Sequence, residues 1–186
     1  KARAVRAASD CVHSVDRDRV ADALHAADPD PRTDEWPKRQ RHEVTIGART
    51  FALELHARGL TFAGTKVDDG TRLLLRHLDE VPRGDVVDLG CGNGVVSAAL
   101  SKLGQPNLQA IDVSWAAVEA TRLTAEANSA DVTVHWADGL SPIADASVDA
   151  VVTNPPFHQG AARESDPTIE MLRDCARVLR PGGEVW

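Results

Sequence analysis

Val86-Val87-Asp88-Leu89-Gly90-Cys91-Gly92-Asn93-Gly94 is an apolar strand that carries an acid near its end and runs through a glycine-rich turn into a helix. Three glycines within five residues let a ligand press against bare backbone, and the N-terminus of the following helix offers unpaired N–H groups behind it. A dinucleotide-binding turn would have its third glycine where this chain has Val95, so the nicotinamide reading loses its fingerprint.

Downstream of this turn, short apolar segments alternate with longer helical ones. The spacing predicts a helix over 94–103, a strand over 108–112, a helix over 115–128, a strand over 132–136 and another over 148–153. Asp166-Pro167 marks a helix start, with Ile169, Leu172, Ala176 and Leu179 expected on its inner face. Pro181-Gly182-Gly183 is expected to turn into a last strand that has hardly started at Trp186. Strand-helix-strand repetition of this kind gives an α/β fold, a doubly wound, Rossmann-like parallel sheet whose ligands sit at the carboxyl ends of the strands.

Upstream, Val44, Ile46, Phe51, Leu53 and Leu55 alternate with polar residues around Gly47-Ala48, the pattern of a β-hairpin. A helix follows from Gly70-Thr71, with Leu74, Leu75 and Leu78 at helical spacing, ending before Pro82. Residues 1–43 divide into an alanine-rich stretch, with Val12, Val15, Val20 and Leu24 inward, and a proline- and acid-rich linker from Asp28 to Pro37. The expected organisation is a small N-terminal helical and linker appendage, 1–43, before a ligand-binding domain, 44–186.

The 186 residues allow one sizeable core. They include neither an apolar run long enough to span a membrane nor a signal-peptide core, so the expectation is a cytoplasmic protein without membrane association. Cys11, Cys91 and Cys175 are widely spaced and lack clustered histidines, which predicts reduced thiols and no metal site. The net charge of -7 argues against a generally cationic coat for nucleic acid. The charge is uneven: residues 1–60 hold 11 basic against 10 acidic residues, and the remainder 10 against 18. Lys38, Arg39 and Arg41 are a candidate local surface for a phosphate backbone, the alternative being that these charges are ordinary solvated surface.

Two further acids follow strands. Asp112, with Val113 beside it, ends the second strand of the alternating series, where a Rossmann-type site places the carboxylate that accepts from ribose hydroxyls; Asp112 or Ser114 could instead simply cap the next helix. Asp138-Gly139 follows the strand ending at Trp136 and is also a common turn dipeptide. Trp115, Trp136 and Met171 are expected in the core.

Asn154-Pro155-Pro156-Phe157 follows the strand over 148–153. Two prolines hold an extended turn, so that the Asn154 side chain and the Pro155 carbonyl can present rigid acceptors to one exocyclic NH₂ group. They would fix its plane and stabilise the positive charge that develops as nitrogen attacks an electrophilic carbon, with no strong base required. Phe157 offers a flat face for an unstacked base, and His158 could be a supporting donor or an exposed loop residue.

From Thr61 to Trp186 the chain resembles the bacterial rRNA guanine-N2 methyltransferases of the small-methyltransferase-domain family, class I enzymes dependent on S-adenosylmethionine. The resemblance rests on Val67-Asp68-Asp69-Gly70-Thr71, on the glycine turn, on Asn154-Pro155-Pro156-Phe157-His158-Gln159 and on Leu179-Arg180-Pro181-Gly182-Gly183. It implies S-adenosylmethionine as cofactor, released as S-adenosylhomocysteine. Asp88, Gly90, Cys91, Gly92, Asn93, Gly94, Asp112, Val113, Asp138, Gly139 and Asn154 would bind it, Asp138 accepting from the adenine amino group. Asn154, Pro155, Pro156 and Phe157 would carry the transfer, and ribosomal RNA or a ribosomal subunit would be the partner of a monomeric enzyme. In the family the sheet continues beyond a fifth strand, so a sheet truncated there is expected, and residues 1–43 are a possible remnant of an RNA-holding domain. Protein glutamine-amide and adenine-N6 methyltransferases share the tetrad chemistry and stay as alternatives. A non-catalytic binding module and a nicotinamide-dependent oxidoreductase are disfavoured, the first by the intact set Asp88, Asp112 and Asn154, the second by Val95.

Overall fold

Asp85–Leu89 can be buried on both faces because three of its five residues are apolar and its one inner acid finds a hydroxyl partner, and this strand becomes the centre of the sheet. The computed structural model describes residues 37–155 and 167–186. The expected N-terminal helices, Cys11, Pro156, Phe157, His158 and Asp166 lie outside the described residues, as do the side chains of 167–169.

The described elements in chain order are β1 (Lys38–Ile46), β2 (Arg49–Ala57), α1 (Asp69–Leu75), a 3-10 turn at Leu78–Glu80, β3 (Asp85–Leu89), α2 (Val95–Lys102), β4 (Asn107–Asp112), α3 (Trp115–Ala127), β5 (Thr133–Trp136), β6 (Val148–Thr153), α4 (Pro167–Val178) and β7 (Leu179–Val185). Five strands form a parallel sheet in the order β5-β4-β3-β6-β7. The order reverses at β3, whose neighbours are β4 on one side and β6 on the other, and ligands of doubly wound sheets sit above that reversal.

Alternation along the strands divides the core between the two faces. Val86 and Val152 face one cluster with Val95, Ala99 and Leu100 of α2 and with Val44, Ile46, Leu53 and Leu55 of the hairpin. Val87, Leu89 and Val151 face the other, with Ile111, Leu140, Ile143, Cys175 and Val178.

The hairpin is longer than its apolar alternation indicates, since β1 starts at Lys38 and pairs through to Ala57 of β2. Its first six residues are polar or charged and carry no alternating signal, so only the ladder shows them. The outer edge of β2 is closed by α3. Thr124 Oγ1 accepts the His56 N–H at 2.9 Å, and the Asn128 side chain both accepts the Glu54 N–H at 3.0 Å and donates to the Glu54 carbonyl at 2.8 Å. Two buried polar residues thus satisfy backbone groups that would otherwise form an open edge.

Four expectations need correction. The helix expected to reach from Gly70 to Leu78 stops at Leu75, and Leu78 belongs to a separate 3-10 turn. The buried positions of α4 are Cys175 and Val178, with Met171 packed partly against them; Leu172 is 48% exposed, Ala176 is exposed, and Leu179 already belongs to β7. Pro181-Gly182-Gly183 lies inside β7 rather than ahead of it, where the pairing with β6 is irregular and Gly182 has φ +85°. Trp136, expected in the core, is 44% exposed on the short outer strand β5. Its indole N–H donates to the Val113 carbonyl at 2.9 Å and its ring meets Trp115 edge-on at 5.2 Å.

Candidate functional site

Leu89 and Thr153 are partners in the pairing of β3 with β6, so Gly90 and Asn154 leave the sheet side by side. The two loops, together with the segment before α1, enclose one cleft lined by Phe62, Ala63, Lys66, Asp68, Thr71, Asp88, Gly90, Cys91, Gly92, Asn93, Val95, Val96 and Asn154.

The glycine turn is left-handed at Gly90, Gly92 and Gly94, with φ of +75°, +57° and +78°. The three positions have different surroundings. A Cβ on Gly90 would meet nothing within 4 Å, and one on Gly92 only the Gly90 carbonyl at 4.0 Å, so both leave open backbone toward the cleft. At Gly94 a Cβ would stand 2.9 Å from Thr121 Cα, so that position is bare to admit α3.

Asp88 is buried at 3% exposure, and its carboxylate accepts the Ser97 hydroxyl at 2.6 Å. Burial pushes its carboxyl up to about 6, opposed by the hydrogen bonds from Ser97 and reinforced by the charge of Asp112. Burial likewise pushes the Cys91 thiol far above its ordinary value, and Sγ accepts the Thr121 hydroxyl at 3.2 Å, so Cys91 packs as a neutral thiol.

Asn93 uses its side chain to fasten the segment before α1 onto the glycine turn. Its Nδ2 donates to the Gly64 and Lys66 carbonyls, each at 3.0 Å, and its Oδ1 accepts the Val95 N–H at 3.3 Å. Asp112 is tied to the same turn: Oδ2 accepts the Gly92 N–H at 3.0 Å and Oδ1 the Ser114 N–H at 2.8 Å. Ser114 stands at the N-cap of α3 without a side-chain cap bond, so Asp112 shapes the helix entry as well as the cleft edge.

Gly94, Asp112, Val113, Asp138 and Gly139 are outside the immediate lining. Asp112 pairs with Trp136 at the ends of β4 and β5, which puts Val113 and Asp138-Gly139 at the same end of the sheet as the glycine turn. Val113 and Asp138 are exposed there. Asn154 and Pro155 are half-buried, while Pro156 and Phe157 lie outside the described residues.

Phe62, Lys66, Asp68 and Thr71 had no role in the sequence reading beyond resemblance. A usable signal was present: Asp68 stands three residues before Thr71 at a helix start, the spacing of an N-cap whose side chain accepts the third residue's N–H. No comparable signal marks Phe62, which is 69% exposed at the cleft rim. Among the described residues no cluster of His, Cys, Asp and Glu could hold a metal ion, and no helix is long and apolar enough to cross a membrane.

The chain is similar in sequence and fold to known proteins. The chain is 41% identical over 125 residues to a ribosomal RNA small subunit methyltransferase C from Hahella chejuensis, covering 67% of this chain and 36% of that protein. It is 42% identical over 164 residues to a ribosomal RNA large subunit methyltransferase G from Streptomyces avermitilis, covering 86% of this chain and 41% of that one. Among solved structures, the T. thermophilus 16S rRNA N2 G1207 methyltransferase in complex with AdoMet and guanosine superposes with a TM-score of 0.68 at 29% identity, over 82% of this chain and 42% of that one. The chain thus spans less than half the length of these relatives. Residues 52–186 match the family model of the methyltransferase small domain, and the chain belongs to that family.

Proposed function

We propose that this chain binds S-adenosylmethionine against Gly90, Gly92 and Asp112 and transfers its methyl group to the exocyclic N2 amine of a guanine in ribosomal RNA, in the cytoplasm. The observation that carries the reading is the juxtaposition of the open glycine turn with the Asn154 carboxamide, fixed by the Leu89 and Thr153 pairing. Similarity to enzymes named for rRNA methylation, one of them solved with AdoMet and guanosine, supports the choice of cofactor and base.

The residues fit the cofactor. Gly90 and Gly92 leave room for a ligand at the backbone, and the Asp112 carboxylate at the end of β4 has lone pairs beyond the two N–H groups it already accepts. When bound, the cofactor supplies a sulfonium methyl carbon that takes up the amine's lone pair while the C–S electrons return to sulfur. Asn154 Oδ1 and the Pro155 carbonyl accept the amine's two N–H bonds, orient its lone pair and stabilise the positive charge growing on nitrogen. The surplus proton then passes to water, so no strong base is needed. Cys91, held neutral, takes no part as a nucleophile. RNA approaches an acidic chain through a local basic surface, for which the exposed Lys38, Arg39 and Arg41 on β1 are the candidates.

Nucleoside analysis of rRNA from a strain lacking the gene tests this reading. One N2-methylguanosine should disappear and return with the wild-type gene but not with Asn154→Ala. An unchanged N2-methylguanosine content would sink it.

A further inference from the structure

Asn154 Nδ2 donates to Asp68 Oδ1 at 3.1 Å and to Thr71 Oγ1 at 3.0 Å. A carboxamide nitrogen has two hydrogens, so both are committed. Asp68 is itself held, Oδ1 accepting the Thr71 N–H at 3.1 Å and Oδ2 accepting the Thr71 hydroxyl at 2.6 Å. Turning the carboxamide over would set its oxygen against a carboxylate. Asn154 Oδ1, to which no described residue donates, is therefore kept as the free acceptor. Gly70 makes the approach possible, because a Cβ there would stand 2.7 Å from Asn154 Oδ1 and 3.1 Å from Nδ2.

We infer that Asp68 is a positioning residue for the transfer step: with Thr71 and Gly70 it fixes which atom of the Asn154 carboxamide faces the acceptor amine, and its negative charge, acting through the Asn154 N–H, makes Oδ1 the stronger acceptor. The inference rests on the methyl-transfer reading above. Burial alone would push the Asp68 carboxyl up, but the bonds from Thr71 and Asn154 outweigh it and hold the group below the usual carboxylate range, so it is charged at neutral pH. Hydrogen bonds in series polarise one another, so the Asp68 charge, two hydrogen bonds from the reacting amine, interacts more favourably as that amine becomes positive. The Asp68 carboxylate also caps α1, and the test must separate capping from positioning.

Asp68→Ser does so, since serine caps a helix well but is too short to reach Asn154. Asp68→Asn keeps the shape and one oxygen that can cap α1 and accept from Asn154, while it removes the charge and puts an amide N–H where Oδ2 accepted the Thr71 hydroxyl. With the full chain and rRNA, single-turnover transfer at saturating cofactor should fall roughly 30- to 100-fold in Asp68→Ser and about 10-fold in Asp68→Asn, the scale of one lost preorganised interaction. Cofactor Kd, measured by calorimetry, should stay within about twofold, because the bond lost is to Asn154 and not to the cofactor. Asp68→Ser combined with Asn154→Ala should be no slower than Asn154→Ala alone, since the two residues act as one unit. Wild-type rates in Asp68→Ser, losses that multiply in the double variant, or weaker cofactor binding at an unchanged saturated rate would each overturn the inference. A wild-type protein that methylates no rRNA guanine would overturn the functional reading itself and the inference with it.

Discussion

Thr153 stands opposite Leu89 in the parallel pairing of β3 and β6, and its hydroxyl donates to the Leu89 carbonyl at 2.9 Å. This contact clamps the last residue pair before the two loops that form the cleft. A Thr153→Val variant keeps the β-branched shape and loses the hydroxyl. It should cost roughly 0.5–1.5 kcal/mol, the net worth of one hydrogen bond, and loosen the spacing of Gly90 and Asn154. Melting curves check the first effect, and a lower saturated transfer rate at unchanged cofactor Kd checks the second.

Gly90 and Gly94 should respond differently to alanine, one mainly in cofactor affinity and the other mainly in stability. Both have positive φ, which costs an L-residue roughly 1–2 kcal/mol. Gly94→Ala adds a contact of 2.9 Å with Thr121 Cα, where backbone must shift, so it should destabilise by more than that. Gly90→Ala meets nothing in the protein, so its larger effect should be on cofactor affinity. Thermal melts and calorimetric titration of the two variants decide whether the turn divides its glycines between ligand and helix as described.

Much of this was legible in advance. The strand positions over 85–153, the acid in β3 and the acid ending β4 all follow from apolar runs bounded by glycine and from carboxylates at strand ends, signals local to a few residues. What failed was whatever depends on partners distant in sequence. Leu172 and Cys175 are both apolar on an amphipathic α4, and only packing against Val87, Leu89 and Val151 decides that Cys175 is the inner one. Trp136 reads as core by its size, yet the strand that carries it is at the sheet edge. Asn93 does line the cleft, but no signal in its own segment indicates that its side chain also holds Gly64 and Lys66. Asp68 and Asn154 lie 86 residues apart, and no pattern within either segment indicates that they bond.

Asp88 gives a pH-dependent signature. Its carboxyl is raised to about 6 in the folded chain, so the folded state binds the proton more tightly than the unfolded chain does. The penalty for burying its charge is absent below the unfolded value near 4, grows between about pH 4 and 6, and is complete above that, at roughly 2–3 kcal/mol. Asp88→Asn removes it. The variant should melt several degrees above wild type at pH 7.5, and the difference should close as pH falls to 4. A constant difference across that range would show that Asp88 is not the group responsible.

Asp112→Ala should weaken cofactor binding about 10- to 100-fold, the loss of one charged acceptor worth roughly 1.5–3 kcal/mol. Asn154→Ala should leave that affinity nearly unchanged and lower single-turnover transfer by roughly 100- to 1000-fold, to a residual rate that is still measurable. The pair of variants therefore splits the cleft into a binding half and a reacting half, read by calorimetry and by turnover on the same preparations.

The most direct test supplies methyl-labelled S-adenosylmethionine to the full chain with naked rRNA, assembled ribosomal subunits and a glutamine-bearing release factor as competing acceptors, followed by nucleoside analysis. The account predicts label in RNA, on the N2 amine of a guanine. Label confined to protein, or found in adenine, would contradict it.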